Sequence, residues 1–314
     1  SPDCVLATEA LKHRDRGLDA STFTPTLNTT RPPFLILTPV CLLMGFAASG
    51  YSPQLNPDLI WVVLGALLAH ISVNMLNEYQ DFKSGLDLVT DRTPFSGGSG
   101  GLPEHPQAAG WVLAGAVLSL LCVVIIGVYL SLAYPALWLL GGIGVLLVWF
   151  YTSVINRLPY LCLFAPGLGF GVLMVVGTAI VAGLEQPVCV AFGAAVVFLM
   201  VNNLLLANQF PDIEADKAHG REHLLIRYGV SAGIRAFNIM TFSVAGLIVM
   251  AAMSGVWPQW VLLALIPWAL TLKTLTALNQ ERENIAAAPD ALGMNVMATL
   301  LTPVVLALAL LLSR

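Results

Sequence analysis

Two clusters of carboxylate, carboxamide and basic side chains stand out in the sequence. The first cluster consists of His70, Asn74, Asn77, Glu78, Asp81, Lys83, Asp87, Asp91 and Arg92. The second consists of Asn202, Asn203, Asn208, Gln209, Asp212, Glu214, Asp216, Lys217, Arg221 and Arg227. Clustered carboxylate and amide oxygens favour a hard cation such as Mg²⁺, which usually enters a site with a phosphate-bearing substrate. The adjacent Lys and Arg side chains supply the extra positive charge that a diphosphate requires.

The spacing within the first cluster predicts a polar face on a helix. His70, Asn74, Asn77 and Asp81 follow one another at intervals of three or four residues, so they share one side of an α-helix. The residues between them are mostly apolar. We therefore predict a polar stripe that points into a helix bundle and ends in carboxylates at the membrane surface.

The second cluster repeats the pattern of the first. The spacing of Asn77 and Asp81 is the same as that of Asn208 and Asp212, at an offset of 131 residues (77 to 208). Asp216 continues the four-residue step. This correspondence predicts two pseudo-repeated halves whose acidic ends lie together.

Composition decides which kind of protein must position these clusters. The chain has 314 residues, of which 57% are apolar and 10% charged, and a mean hydropathy of +0.82. An ordinary soluble domain has about 25% charged residues, so a soluble globular enzyme is excluded. The high apolar content and the net charge of −4 exclude disorder. The 14 basic and 18 acidic residues provide no basic surface for nucleic acid. A polytopic membrane protein remains.

Nine apolar segments are long enough to be membrane-spanning helices, which need roughly 20 residues. They cover residues 34–50, 59–79, 109–131, 135–152, 161–183, 188–209, 231–254, 258–279 and 291–312. Helices are expected because a lipid-exposed backbone must satisfy its own hydrogen bonds. We predict an all-α polytopic membrane protein with about nine transmembrane helices. Residues 1–30 would form an N-terminal cytoplasmic segment, interpreted as a polar tail rather than an interfacial helix, and residues 31–314 the transmembrane domain.

The basic residues predict the orientation of these helices. With nine spans, all 14 Lys and Arg residues except Arg314 fall on the side of the N-terminus and the even-numbered connections. The positive-inside rule places that side, and with it both polar clusters, in the cytoplasm.

At these clusters the sequence resembles the UbiA superfamily of intramembrane prenyltransferases, especially its menaquinone-type branch. Residues 77–87 read NEYQDFKSGLD, similar to the family motif N-D-x-x-D-x-K-x-G-x-D. Residues 212–216 read DIEAD, similar to the second motif D-x-x-x-D, and GREHL follows at 220–224. Lesser similarities are Arg31-Pro32 before the first span and Tyr151-Thr152 at the end of the fourth. Glu78 stands where the branch usually has aspartate, and His223 where threonine is common.

The resemblance implies a role for each motif residue. Two Mg²⁺ ions would be held by Asn77, Asp81 and Asp87 on one side and by Asp212 and Asp216 on the other, with Glu78 assisting. The diphosphate would contact Lys83, Arg92, Lys217, Arg221 and Arg227. The catalytic residues would be Asp81, Asp212, Lys83 and Lys217. The wall of the acceptor site or of the carbocation would contain Asn74, Tyr79 and Tyr151, with Phe95 as a further candidate.

The implied activity is magnesium-dependent transfer of a prenyl group from an allylic isoprenoid diphosphate to an aromatic, quinone-precursor-like acceptor. The enzyme would be an integral protein of a prokaryotic inner membrane, in contact with lipid, with its active-site motifs on the cytoplasmic side. A terpene cyclase of the same fold, which needs no acceptor, is the alternative. An ion-coupled transporter is a weaker alternative, because the outer halves of the spans are almost free of charge.

Three features admit simpler interpretations. His70 is interpreted as a residue that makes a hydrogen bond between helices, and His219 and His223 as loop residues. The Gly- and Ser-rich stretch at 96–101 is either a flexible lid or a plain connection. The acceptor, the length of the prenyl chain and the oligomeric state are left open.

Overall fold

The computed structural model describes residues 19–50, 52–53, 55–94 and 97–314, and it describes no side chain for residues 20, 87 and 88. Its regular elements are helices. Residues 1–18, which make up most of the predicted polar tail, lie outside the described residues, and so does Phe95.

The helices are numbered here in chain order. The first eight are α1 (Ala20–Asn28), α2 (Leu37–Ala48), α3 (Leu59–Ser84), α4 (Leu86–Val89), α5 (Gly101–Glu104), α6 (Ala109–Ala133), α7 (Leu137–Phe150) and α8 (Pro159–Gly167). The others are α9 (Val175–Val181), α10 (Pro187–Gln209), α11 (Ile213–Ala218), α12 (Leu224–Tyr228), α13 (Val230–Met253), α14 (Leu265–Trp268), α15 (Leu270–Glu281) and α16 (Pro289–Leu312). Short 3₁₀ turns connect several of them.

Each of the nine predicted segments contains helix, but nine spans are not confirmed exactly. Seven helical stretches of the described chain are long and apolar enough to cross a membrane. An eighth span requires joining residues 21–28 to residues 32–48 across a bend of 41°. The fourth predicted segment becomes α7, which is apolar but only 14 residues long. A helix of this length rises about 21 Å, less than the roughly 30 Å of a hydrocarbon core.

The helices pack around separate hydrophobic cores. In the first half α3 packs along α6, and in the second half α10 packs along α13. One hydrophobic core lies between α3, α6 and α7, and a larger one joins α2, α9, α10, α13 and α16. The short helices α4 and α11, which follow the two motif helices, contact each other. The fold therefore brings the ends of α3 and α10 together, as the repeated spacing predicts.

A stretch of π-helix at Leu168–Met174 interrupts the helix that begins with α8 and continues as α9. The irregular backbone is packed against α10. An added Cβ at Gly167 would clash with the carbonyl oxygen of Phe198 and would lie 2.5 Å from Oδ1 of Asn202. Asn202 Oδ1 accepts a hydrogen bond of 2.7 Å from the backbone N–H of Gly167. Irregular backbone at membrane depth is tolerated where neighbouring groups satisfy it in this way.

The close approach at Gly167 makes a stability prediction. Gly167→Ala would force α8 away from α10, and overpacking of this kind costs about 1–3 kcal/mol. Thermal unfolding of the purified protein in detergent should show a clearly lower midpoint. Gly169→Ala is the matched control, because the nearest atom to its added Cβ is Leu147 Cδ1 at 4.0 Å. Equal midpoints for the two variants would contradict the packing described.

Candidate functional site

The two motifs are joined by the side chain of Arg221. Its guanidinium donates one hydrogen bond to Asp81 Oδ1 from Nη2 and another, of 3.2 Å, to Asp216 Oδ1 from Nη1. Asp81 and Asp216 are both buried, and the arginine side chain is only 18% exposed. Burial by itself would lower the pKa of Arg221, but the charges of Asp81 and Asp216 outweigh that effect and raise it. The guanidinium therefore keeps its charge between the two carboxylates.

His223 completes the environment of Asp216. Its Nε2 lies 3.1 Å from Asp216 Oδ2, and the side chain is almost fully buried. Asp216 thus meets Arg221 through one oxygen and His223 through the other. His223 directly precedes α12, so it lies in a connection as expected, but there it is buried against Asp216. The sequence carried a weak signal, since His223 lies two residues after the arginine of the second motif, but its local pattern does not show which residue it would contact.

A second ion pair lies at the first motif. Arg31 Nε donates a hydrogen bond of 2.8 Å to Glu78 Oε1, and Arg31 Nη2 donates one of 3.0 Å to Asn77 Oδ1. Arg31 has a left-handed backbone with φ of 52°, which is uncommon for a residue with a side chain. These bonds hold it in that conformation. The similarity at Arg31-Pro32 was the only sequence signal for this residue, and it did not reveal the partner.

Glu78 also holds the glycine-rich stretch. Its carboxylate accepts 2.7 Å and 3.0 Å hydrogen bonds from the backbone N–H and the hydroxyl of Ser99, and the side chain is completely buried. At the next residue, Gly100, the guanidinium of Arg92 occupies the space that a Cβ would take. The same guanidinium donates a hydrogen bond of 2.8 Å to the carbonyl of Ser99. Contacts with Glu78 and Arg92 therefore fix the described part of this stretch, residues 97–101.

The motif residues open onto one large cavity of about 780 Å³. Its polar end is lined by Arg31, Asn74, Asn77, Asp81, Arg92, Asn156, Asn208, Gln209, Asp212, Asp216, Arg221 and His223. The remainder is mostly apolar and reaches Trp61 near the start of α3. Between Trp61 and Asp81 the helix rises about 30 Å, at 1.5 Å per residue. The cavity thus combines a charged head with a long apolar body.

The predicted site residues fall into two groups by position. The cavity wall includes Asn74, Asn77, Asp81, Arg92, Tyr151, Asp212, Asp216 and Arg221. The residues away from the wall are Glu78, which lies behind it, Tyr79, and the exposed Lys83, Lys217 and Arg227. Lys83 Nζ lies 5.7 Å from the centre of the Tyr79 ring, and Arg227 pairs with Glu222 at 3.6 Å. The Asp87 side chain lies outside what the structure describes. The role of each residue stays a prediction.

The donor atoms at the polar end suit a hard cation. Asn208 Oδ1 is buried and has no hydrogen-bond partner within the described parts of the chain, and Asn208 lines the cavity one helical turn before Asp212. A buried oxygen of this kind requires a partner. No group of three or more His, Cys, Asp or Glu side chains in the described ranges is arranged to hold a metal. Carboxylate oxygens accept more than one bond, so Asp81 keeps acceptor capacity beside Arg221.

Comparison with known proteins gives a consistent result. A sequence profile of the UbiA prenyltransferase family matches residues 37–298. A relative from Bacillus subtilis (strain 168), 1,4-dihydroxy-2-naphthoate octaprenyltransferase, is 28% identical over 239 residues, which is 72% of this chain and 74% of the relative.

Solved structures share the fold at low sequence identity. A UbiA homolog from Archaeoglobus fulgidus bound to GPP and Mg²⁺ has a TM-score of 0.67 at 15% identity, over 91% of this chain and 99% of that one. A digeranylgeranylglyceryl phosphate synthase has a TM-score of 0.64 at 16% identity, over 91% of this chain and 98% of that one.

The contacts of Glu78 make a second stability prediction. Glu78→Ala leaves Arg31 and the N–H of Ser99 without their carboxylate, and hydrogen bonds to a charged group contribute about 1.5–3 kcal/mol each. We expect a fall of at least that size in the free energy of unfolding, measured in mixed detergent micelles.

The control is Glu104→Ala, which removes the Arg92 ion pair of 3.0 Å on the surface, where Glu104 is 62% exposed. Surface pairs of this kind contribute about 0–1 kcal/mol. If Glu78→Ala is no more damaging than Glu104→Ala, Glu78 does not hold the site together.

Proposed function

Because the chain belongs to the UbiA prenyltransferase family, we propose that it transfers a prenyl group from an allylic isoprenoid diphosphate to an aromatic acceptor within the membrane. The name of the Bacillus subtilis relative supports an aromatic acceptor. The UbiA homologs bound to DMAPP and to GPP, each with Mg²⁺, support an isoprenoid diphosphate donor.

One observation supports this proposal more than any other. Arg221 joins Asp81 of the first motif to Asp216 of the second at the charged end of a cavity whose body is apolar. A molecule with a diphosphate head and a hydrocarbon tail matches that division, with the head among the charged groups and the tail along α3. The length of the cavity suits a tail of several isoprene units.

We assign the magnesium ligands from the motifs. Asn77, Asp81 and Asp87 would hold one ion, Asp212 and Asp216 the other, and the buried oxygen of Asn208 supports its addition to the second set. Bound Mg²⁺ supplies Lewis-acid stabilisation of the charge that develops on the departing pyrophosphate. Both oxygens of Glu78 already accept hydrogen bonds. We therefore propose that Glu78 assists by positioning Arg31 and Ser99.

The basic residues have two different roles in this proposal, direct contact with the diphosphate and long-range attraction. Arg221 and Arg92 line the cavity and would contact the diphosphate directly, with Arg31 beside them. Lys83, Lys217 and Arg227 are exposed. In this proposal they attract the anionic substrate to the charged end, a long-range effect that weakens with salt.

The body of the cavity protects the reaction from water. When the allylic C–O bond breaks, the electron pair leaves with the pyrophosphate and the prenyl group carries the positive charge. Apolar walls exclude the water that would quench it. Tyr151 lines the cavity, and in this proposal its aromatic ring stabilises the cation. An electron-rich aromatic ring then attacks the allylic carbon, and the ring proton leaves with the pyrophosphate.

We place the charged end on the cytoplasmic side of a prokaryotic inner membrane, on the basis of the distribution of Lys and Arg. A terpene cyclase remains the second candidate, because the same charged end and apolar body would serve a cation captured within its own chain.

Product analysis separates the two candidates. Purified protein with Mg²⁺ is supplied with geranyl, farnesyl or geranylgeranyl diphosphate, with and without hydroxybenzoates and hydroxynaphthoates. We expect a prenylated acceptor, and pyrophosphate release that depends on the acceptor. A cyclic product formed without acceptor would favour the cyclase, and an absence of Mg²⁺-dependent turnover would contradict both.

The motif carboxylates make a sharper prediction. Asp81→Asn and Asp216→Asn should each lower Mg²⁺-dependent pyrophosphate release by at least about 100-fold, since about 2.7 kcal/mol of transition-state stabilisation is expected from such a group. Glu214→Gln is the matched control, because Glu214 is exposed on the same short helix as Asp216. Its activity should be unchanged. Full activity in Asp81→Asn, or equal losses in all three variants, would contradict the site.

A further inference from the structure

His70 is a buried polar residue that the proposed chemistry does not use. It lies on α3, is 6% exposed and lines the cavity. Its Nδ1 lies 2.9 Å from Thr38 Oγ1 on α2, and its ring meets Phe170 edge to face at 4.8 Å between ring centres. The imidazole is therefore fixed from two sides, by α2 and by the π-helical stretch.

The bond to Thr38 determines which nitrogen carries the proton. Thr38 is completely buried, and within the described ranges its hydroxyl has no acceptor other than His70 Nδ1. Because a buried hydroxyl needs an acceptor, Thr38 donates to Nδ1, and the proton of the neutral ring is on Nε2. Nε2 has no hydrogen-bond partner among the side chains and backbone groups that the structure describes. This N–H donor at the cavity wall is therefore available to an oxygen of a ligand.

The position of His70 indicates which part of the ligand it meets. His70 precedes Asn77 by two helical turns on the same face, about 10 Å along α3. Asn77 receives the hydrogen bond from Arg31, so the polar end of the cavity begins there. An aromatic ring between these two levels would have Asn74 beside it and Phe170 as part of its wall. A substituent that points away from the diphosphate would then reach His70.

We propose that Nε2–H of His70 donates a hydrogen bond to the carboxylate of the aromatic acceptor. The acceptor class is then a hydroxyaromatic carboxylic acid, not a simple phenol. We assign His70 as a hydrogen-bond donor and not as a general base, because in this tautomer Nε2 carries the proton and has no free lone pair. A carboxylate is chosen over a neutral oxygen because hydrogen bonds to ionised groups are roughly twice as strong. This inference rests on the proposed function, since it requires an aromatic acceptor in the same cavity.

Equilibrium binding of two matched ligands tests it directly. 1-Hydroxy-2-naphthoate and 1-naphthol differ only in the carboxylate, and their affinities for the full-length protein in detergent are measured by calorimetry. In His70→Phe we expect the affinity for the naphthoate to fall by about 10- to 100-fold, the range for one hydrogen bond to a charged group. The affinity for naphthol should be unchanged.

Three variants distinguish recognition from a structural role. His70→Gln keeps an N–H donor and should restore part of the affinity for the naphthoate. Thr38→Val frees the tautomer and should cost about 2- to 10-fold, again only for the naphthoate. His105→Phe, a histidine outside the cavity wall, should change neither affinity. Equal losses for both ligands in His70→Phe, or no loss for either, would overturn the inference.

The failure of the proposed function would look different. If the wild type transfers no prenyl group to any aromatic compound, the proposed function fails, while the selective loss of naphthoate binding would still support the His70 assignment. If transfer occurs but His70→Phe does not discriminate between carboxylate and phenol, the His70 assignment alone is wrong.

Discussion

The contact of Arg221 with Asp81 and Asp216 is the constraint on which the rest of the structure depends. Two buried carboxylates from distant parts of the chain repel each other, and a low-dielectric surrounding makes an unpaired charge costly. One guanidinium reduces both costs and at the same time joins the end of α3 to α11. A buried ion pair is weak evidence for net stability, and we infer that this one sets the relative position of the two motifs.

Other buried polar groups also have partners from distant parts of the fold. Glu78 accepts hydrogen bonds from Arg31 and Ser99, just as Arg221 donates hydrogen bonds to two carboxylates. Asn202 accepts a hydrogen bond from the backbone N–H of Gly167. In each case a buried polar group has a partner from another helix or from a neighbouring connection. Asn208 Oδ1, which is buried without a described partner, belongs to a residue on the wall of the cavity, and so does Nε2 of His70. These two atoms lie where a ligand would bind.

Local pattern accounts for the parts of the site that could be predicted. The three- and four-residue spacing placed Asn74, Asn77 and Asp81 on one helical face, and all three line the cavity. The same spacing does not distinguish a side chain in the wall from one behind it. Glu78 lies one residue from Asn77, but its buried side chain is not part of the wall. His223 lies in a connection as expected, but it is buried against Asp216.

The sequence by itself determined the membrane environment, the all-helical class, the two motifs and their common end of the bundle, because apolar length, charge distribution and helical period are local properties. Tertiary structure alone decided that Arg31 pairs with Glu78 and Arg221 with Asp81, since these partners lie 47 and 140 residues apart in the chain. It also decided that α7 is short, that the fifth segment contains a π-helical stretch, and that Thr38 orients His70. These outcomes follow from packing between helices, where each buried polar group must find a partner that no local pattern specifies.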